Sequence, residues 1–564
     1  MPILIHDLIF ESAARAPRAP ALSCQGVPLG YQALARAVRD FASALLTLGL
    51  QRRERAAVYL EKREENVIAM FGAAAAGGAF VPINPLLRPE QVAYILADCA
   101  VSVLVTSRER LAQLALVLAG CPALRTVIVA DGGLHARLPG SGLDRVDVLN
   151  WLSVMALGAE QAGCAPVLID TDLAAILYTS GSTGRPKGVV LSHRNLLAGA
   201  LSVAGYLHNT PQDRILCVLP LSFDYGLSQL TTAFASGACA VLMNYLLLRD
   251  IVEAVGQQSI TGLACVPPLW IQLSQLSWPA GSTLRYITNS GGVMQPGTVE
   301  RLQQALPHTQ IFLMYGLTEA FRSTYLAPQD LAARPDSIGK AIPNAEILVL
   351  RPDGSECSAD EPGELVHRGA LVAQGYWNDA ARTAERFRPL PSRQDGEVLP
   401  ELAVWSGDTV RRDTQGYLYY IGRNDEMIKT SGYRVSPAEV EEVVYASMLV
   451  GEAVALGVPH AVLGQAIALL VTAAPGVELS REALLAACRQ RLPNYMVPLW
   501  IIVRGELLPR NPNGKIDRAL LAQELAQAIG RTELRGDTHA GDHDRVRDEG
   551  AATASGARVA GEPA

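Results

Sequence analysis

Apolar runs alternate with amphipathic segments through the first half of the chain. Leu34 to Leu50 (LARAVRDFASALLTLGL) carries apolar residues at helical spacing, and RAAVYL after it reads as a strand. Asn66 to Leu87 holds no charge and is long enough to raise the question of a bilayer span. It is rich in Ala and Gly, however, and contains Pro82, Asn84 and Pro85. The expectation is a buried helix ending near Gly78, then the short strand AFVPI. PEQVAYILADC predicts a further helix and VSVLVT a strand; RILCVLP, CAVLMN, GLACVP, LRYITNSGG and QIFLMYG repeat the short apolar run. Short strands between helices predict βαβ units and a largely parallel sheet.

The texture changes after Arg334. EILVLRPDG, GELVHRG and YLYYIGR are short strands between turns such as Pro352-Asp353-Gly354, which predicts an antiparallel β subdomain. From Asn424, the helices EVEEVVYASM and REALLAACRQRL flank the strands AVALGV and AIALLVTA, the pattern of a small α+β domain. From Gly530 the apolar pattern stops. The last stretch has no aromatic residue and cannot offset its ordering entropy, so a disordered tail is expected. The expected organisation is a large domain over 1–422, a small one over 423–528 and a tail over 529–564. The expected fold class is α/β: parallel-sheet subdomains plus a β subdomain, and a small mobile α+β C-terminal domain.

Composition narrows the function. The chain has 564 residues, 49% hydrophobic, with 48 Lys and Arg against 55 Asp and Glu. A net charge of -7 argues against nucleic acid as the main partner. The nine cysteines are scattered, with no CxxC pair, which suits reduced thiols in the cytoplasm better than a disulfide framework or zinc site. The start has early acids and no cationic stretch before an apolar core, so neither a secretory signal nor stable membrane insertion is expected.

The densest chemical signal is LYTSGSTGRPKGVVLSHRN. Thr179, Ser180, Gly181, Ser182, Thr183 and Gly184 are all small, with strand-like residues on both sides and Lys187 following. Such a loop exposes N–H groups and hydroxyls that can wrap phosphate oxygens. A Walker loop fails here: Pro186 sits where its second Gly belongs, Gly188 where Ser or Thr belongs, and a strand follows instead of a helix.

These residues resemble the signature of the adenylate-forming enzymes, which include AMP-forming acyl-CoA synthetases, peptide-synthetase adenylation domains and luciferases. The resemblance covers Ile5 to Glu524, with further motifs in family order. It implies that Tyr315 of Tyr315-Gly316-Leu317-Thr318-Glu319 stacks on adenine, that Thr318 bonds phosphate and that Glu319 holds magnesium. Ser406-Gly407-Asp408 stands where the family has Thr-Gly-Asp, so Asp408 would accept both ribose hydroxyls. In Gly422-Arg423-Asn424-Asp425, Arg423 would reach ribose or phosphate and Asp425 would be the hinge of the small domain. Gly432 would line the channel for the thiol. Asn511-Pro512-Asn513-Gly514-Lys515 resembles the catalytic-lysine loop. The implied activity is attack of a carboxylate on the α-phosphorus of ATP, giving an acyl-AMP and pyrophosphate, then transfer of the acyl group to a thiol. Lys515, Thr318, Glu319 and Lys187 would be catalytic; ATP, magnesium and coenzyme A, or a carrier protein's phosphopantetheine, would be the partners.

The acid side is less defined. Ser290, Gly291 and Gly292 would wall the carboxylate, the two glycines also touching the nucleotide, with Trp270 as a further lining candidate. Phe223, Asp224, Tyr225 and Gly226 would form the acyl pocket. Acyl-CoA synthetases commonly have an aromatic and His at this point, whereas peptide-synthetase domains have Phe-Asp, the Asp binding an α-ammonium. Asp224 therefore either binds a substrate amine or pairs with a protein cation or water; a buried acid would otherwise repel a carboxylate substrate. LSFDYGLSQL, ITNSGG and YGLTEAFRSTYL look most like exosortase A-associated acyl-CoA ligases, which are linked to exopolysaccharide clusters. No fused carrier module is expected after Arg518, so the thiol belongs to coenzyme A or a separate carrier. The alternative is a stand-alone amino-acid adenylating enzyme.

Overall fold

The computed structural model describes residues 2–131, 145–161, 166–179, 186–390, 401–423, 426–430, 433–460, 463–512 and 514–533. Ser180 to Gly184, Asp425, Gly432 and the stretch 534–564 lie outside these residues. The chain forms two compact units, Met1–Asp517 and Arg518–Ala564; the described part of the second is the helix Arg518–Glu533.

The first unit contains three sheets. In the seven-stranded sheet, Asp147–Asn150, Thr126–Val129, Val103–Thr106, Arg55–Tyr59, Ala79–Pro82 and Leu173–Thr179 lie side by side in parallel. Lys187–Ser192 closes the sheet antiparallel to Leu173–Thr179. The strands Ala79–Pro82 and Val103–Thr106 are buried at every position, as expected of apolar runs covered on both faces. The uncharged run resolves as expected into the helix Glu64–Ala75, with Asn66 to Ala74 all buried, and the strand Ala79–Pro82.

The fourteen-stranded sheet has a parallel part, in which Cys239–Leu242, Arg214–Cys217, Gly262–Cys265, Tyr286–Asn289 and Gln310–Tyr315 are neighbours. The expected antiparallel β region is present, formed from Ala345–Leu350, Gly363–Gly369, Leu402–Arg412 and Leu418–Arg423. Ser337–Ala341 joins it edge to edge to the parallel part through Thr324–Leu326, so the two are one continuous sheet. Ser406-Gly407-Asp408, which alone reads as a turn, lies inside the eleven-residue strand Leu402–Arg412. Gly407 has φ +72 and the register shifts on both flanking strands, so the motif is a bulge that aims Asp408 away from the regular pleat.

A five-stranded sheet carries the last part of this unit. Tyr433–Val435, Ile428–Thr430, Gly464–Ala473 and Val450–His460 follow one another, and Trp500–Arg504 adds in parallel to Gly464–Ala473. The helices Pro437–Ala446 and Arg481–Arg491 cover it through Val440, Val444, Leu484 and Cys488, which form a core separate from the main one. No helix among the described residues is long and apolar enough to cross a membrane.

Candidate active site

Parallel strands deliver their following residues to one edge of the sheet, where ligands of α/β folds bind. Three adjacent strands do so here: Gly262–Cys265, Tyr286–Asn289 with Ser290, Gly291 and Gly292 after it, and Gln310–Tyr315 with Gly316 to Glu319 after it. The Ser/Thr/Gly loop reaches the site differently. Thr179 pairs directly with Lys187, so its flanking residues form the mouth of an antiparallel hairpin, a context unlike a Walker loop.

Lys187 does not stand free. Its Nζ is 2.8 Å from Glu319 Oε1 and donates to the Tyr376 hydroxyl at 2.8 Å; that hydroxyl donates to the same Oε1 at 2.6 Å. Burial pushes the Glu319 carboxyl up, but the charge and hydrogen bond of Lys187, with the Tyr376 hydroxyl, outweigh it and hold the group below its ordinary range. Tyr376 was not visible as a site residue in the sequence, because it lies far along the chain in a segment without a motif. Thr318 is buried, in a single turn Thr318–Ala320 pinned by the bond from Ala373 N–H to Glu319 O.

A second group centres on Asp408. The Tyr315 hydroxyl donates to Asp408 Oδ2, and Arg423 NH1 is 3.5 Å from Oδ1. Ser406, which stands where the resemblance has Thr, is bonded on both sides: its hydroxyl donates to Leu365 O at 2.7 Å and accepts from the Asp408 N–H at 3.0 Å. Burial raises the Asp408 carboxyl, and Arg423 and Tyr315 offset part of that.

Lys515 is brought to the same edge. Its loop is tied by Asn511, whose Oδ1 accepts from Lys515 N–H at 3.1 Å, and by Asn84 Nδ2, which donates to Pro512 O at 2.8 Å. The ammonium lies 5.6 Å from the Phe223 ring centroid. A Cβ placed on Gly291 would meet Lys515 Cε at 3.0 Å and Nζ at 3.3 Å, and Gly291 has φ +87. Glycine is therefore favoured there twice, by space and by backbone. Burial lowers the Lys515 ammonium pKa, while the charge of Asp224 works against the shift.

Asp224 opens the helix Asp224–Ser236, where a carboxylate faces the positive end of the helix dipole. The helix start packs tightly: a Cβ on Gly226 would stand 2.0 Å from Pro220 O. Asp224 is 4% exposed, and its cation is Arg322, with NH1 3.7 Å from Oδ2. Burial nonetheless raises the Asp224 carboxyl, with Arg322 and Lys515 opposing. Arg322 thus places a protein cation beside Asp224. Arg322 lies inside the quoted run YGLTEAFRSTYL, yet nothing in its spacing marks it as a pocket residue. Tyr225 stacks its ring 4.6 Å from the Arg322 guanidinium and its hydroxyl shares a 2.5 Å bond with Thr288 Oγ1. Ser290 is buried, and Trp270 is a buried wall whose Nε1 donates to Thr288 O at 3.0 Å.

A lysine held by a carboxylate and a tyrosine, a tyrosine bonded to a buried aspartate and a second lysine loop define a class. The chain belongs to the AMP-binding enzyme family: that family's profile matches residues 9–377, and the AMP-binding enzyme C-terminal domain profile matches residues 439–515. Its relatives include tyrocidine synthase 3 of Brevibacillus parabrevis, 30% identical over 95% of this chain, although the chain spans only 8% of that protein. The L-proline--[L-prolyl-carrier protein] ligase of Pseudomonas fluorescens is 30% identical, with 93% of this chain and 99% of that protein aligned. The long-chain-fatty-acid--CoA ligase of Yersinia pestis is 29% identical over 93% of this chain and 95% of that protein. Among solved structures, the anthranilate CoA ligase AuaEII in complex with anthranoyl-AMP shares the fold at a TM-score of 0.81, with 23% identity over 94% of this chain and 99% of that one.

Proposed function

We propose that this chain is an ATP-dependent acid–thiol ligase that forms an acyl-AMP and then a thioester. The observation that carries the reading is Lys515 lying against Gly291 and above Phe223, with Asp224 and Asp408 both acting on its charge. A carboxylate oxygen attacks the α-phosphorus of ATP and the bond to the bridging oxygen of pyrophosphate breaks. Two anions must meet, so a placed cation lowers the barrier. Lys515 is that cation, positioned to bond both the carboxylate and the α-phosphate. Lys187, held by Glu319 and Tyr376, turns to the outer phosphates together with Thr179 to Gly184. Tyr315 packs on the base, Gly291 and Gly292 line the nucleotide, and Asp408 with Arg423 holds the ribose.

A single ionised carboxylate, Glu319, fits a hard cation that shares phosphate oxygens and keeps its waters. Magnesium bound there supplies positive charge against the phosphates. In the second step a thiol attacks the acyl carbonyl carbon, its proton passes to solvent, and AMP departs with the bridging oxygen. Residues 423–528 act as a lid that turns about Asp425 and carries Gly432 to the thiol path.

Coenzyme A is the proposed thiol. The resemblance of LSFDYGLSQL to exosortase A-associated acyl-CoA ligases supports this, as does the pairing of Asp224 with Arg322, which removes the need for a substrate amine. The second reading, loading of an amino acid onto a separate carrier protein, is favoured by the end-to-end alignment with the proline ligase. The scattered cysteines fit a cytoplasmic enzyme. The test is acid-dependent turnover of ATP in the presence of coenzyme A. AMP and pyrophosphate support the reading, and ADP contradicts it.

A further inference from the structure

Arg322 is 2% exposed, yet its Nε and NH2 have no hydrogen-bond partner among the described residues. Its one ion pair uses NH1, at 3.7 Å, too long to count as a hydrogen bond. A buried donor without an acceptor costs roughly 1–3 kcal/mol, more when charged. Here two are left open on one side chain. The surroundings hold the side chain in place. Phe321, just before it, has φ +53 and is fully buried, an uncommon backbone for an aromatic residue. A Cβ on Gly199 would come within 2.4 Å of the Phe321 ring, so that ring fills the space beside a glycine. The guanidinium stacks over Tyr225, and a Cβ on Gly316 would stand 3.6 Å from Arg322 NH1. Arg322 thus lies next to Asp224, whose other cation is Lys515.

The helix beyond Tyr225 adds two more unpaired polar atoms in an otherwise mostly apolar surrounding that includes Leu207, Leu263 and Met314. Tyr225, Gln229 and Thr232 share one helix face and line a cavity of about 20 Å³, room for about one water. Gln229 Oε1 and Thr232 Oγ1 are buried without partners among the described residues. An unsubstituted hydrocarbon chain would leave all of these groups unpaired.

We infer that the acid activated here carries a hydrogen-bonding oxygen on its acyl chain, which accepts from Arg322 Nε and NH2, and that Arg322 is the specificity-determining residue. This rests on the ligase reading above. The Asp224–Arg322 pair is already balanced in charge, so the favoured group is a neutral hydroxyl or oxo oxygen. A second carboxylate would supply the same acceptor with one more charge.

The test is pyrophosphate exchange by the full-length enzyme. The acids are straight chains of matched length in unsubstituted, hydroxy, oxo, dicarboxylic and 2-amino forms. The inference expects the hydroxy or oxo acid to exceed the unsubstituted one by about a hundredfold or more in kcat/KM, because a site built for a substrate oxygen rejects analogues that lack it. In Arg322→Met that ratio collapses toward one, mainly through KM, and Arg322→Lys recovers part of it. Preference for the dicarboxylic acid alone supports the acceptor and makes it a carboxylate. Preference for unsubstituted or 2-amino acids in the wild-type enzyme overturns the inference and leaves the ligase reading intact, with no need for a variant to fold. Exchange with no acid at all, while ATP still binds, overturns both.

Discussion

The two halves of the site are prepared in opposite ways. On the proposed nucleotide side the charged groups are largely tied inside the protein, Lys187 to Glu319 and Tyr376 and Asp408 to Tyr315 and Arg423, with only Asp408 Oδ1 and Thr179 Oγ1 left without a hydrogen bond among the described residues. On the acyl side Arg322, Gln229 and Thr232 keep buried polar atoms unpaired. The first side is held ready by internal bonds that ATP must exchange for its own. The second carries open donors and acceptors that only a matching substrate satisfies. Generic nucleotide chemistry tolerates self-pairing, whereas selectivity among acids needs groups that penalise the wrong one.

The largest break in this contrast comes from Lys515→Ala. It removes the cation that both sides share, and pyrophosphate exchange should fall by about 10²–10³-fold. Thioester formation from supplied acyl-AMP should fall far less, since that step does not use the lysine. Equal losses in the two assays would contradict its role.

Asp224→Asn comes next, and its largest effect falls on Arg322, although its charge also reaches Lys515. It strips Arg322 of its counter-ion in the core and should cost about 3 kcal/mol in urea unfolding. Glu319→Gln on the nucleotide side leaves Lys187 with the Tyr376 hydroxyl and better access to water, so its cost should be smaller. If the two variants unfold alike, the distinction between the sides is wrong.

Gly291→Ala sharpens the boundary between them. The residue has φ +87 and would crowd Lys515, so about 1–2 kcal/mol of strain should appear as lost stability, lost exchange or both. Thermal melts and kcat/KM on the same preparation separate the two.

The smallest effect is acid sensitivity. Burial lowers the His193 and His367 pKa to about 3 each. The unfolded chain binds these protons more readily, so the stability they hold is full above the ordinary histidine pKa of about 6.5 and is lost as pH falls toward 3. Going from pH 7 to 6 should cost about 0.7 kcal/mol for each. His193 opens the helix after the strand Lys187–Ser192, and His367 bonds Ser323, next to Arg322. His193→Asn and His367→Asn should therefore flatten the pH dependence of the melt by similar amounts.

Much of this architecture was legible in the sequence, and the reason is local. The strand Ala79–Pro82 and the helix before it are short-range apolar patterns that tertiary contacts only reinforce. The segments after the strands Tyr286–Asn289 and Gln310–Tyr315 were legible as candidates because each is a contiguous motif following a strand. Ser406-Gly407-Asp408 was legible only through its resemblance to the family's Thr-Gly-Asp, because a bulge depends on the pairing strands Gly363–Gly369 and Leu418–Arg423, which no local window contains. Tyr376 and Arg322 were missed for the same reason: the first meets Lys187 across a long stretch of chain, and the second becomes a site residue only when Asp224 is folded against it. Asp224 itself was seen, but the nearness of Arg322 to it appears only in the fold.

The central claim is that AMP leaves from an acyl-adenylate, and oxygen isotopes test it most directly. With an accepted acid labelled with 18O in both carboxylate oxygens, one labelled atom should appear in the phosphate of the AMP product and the other should remain in the thioester carbonyl. Unlabelled AMP, or label in inorganic phosphate beside ADP, would contradict the account.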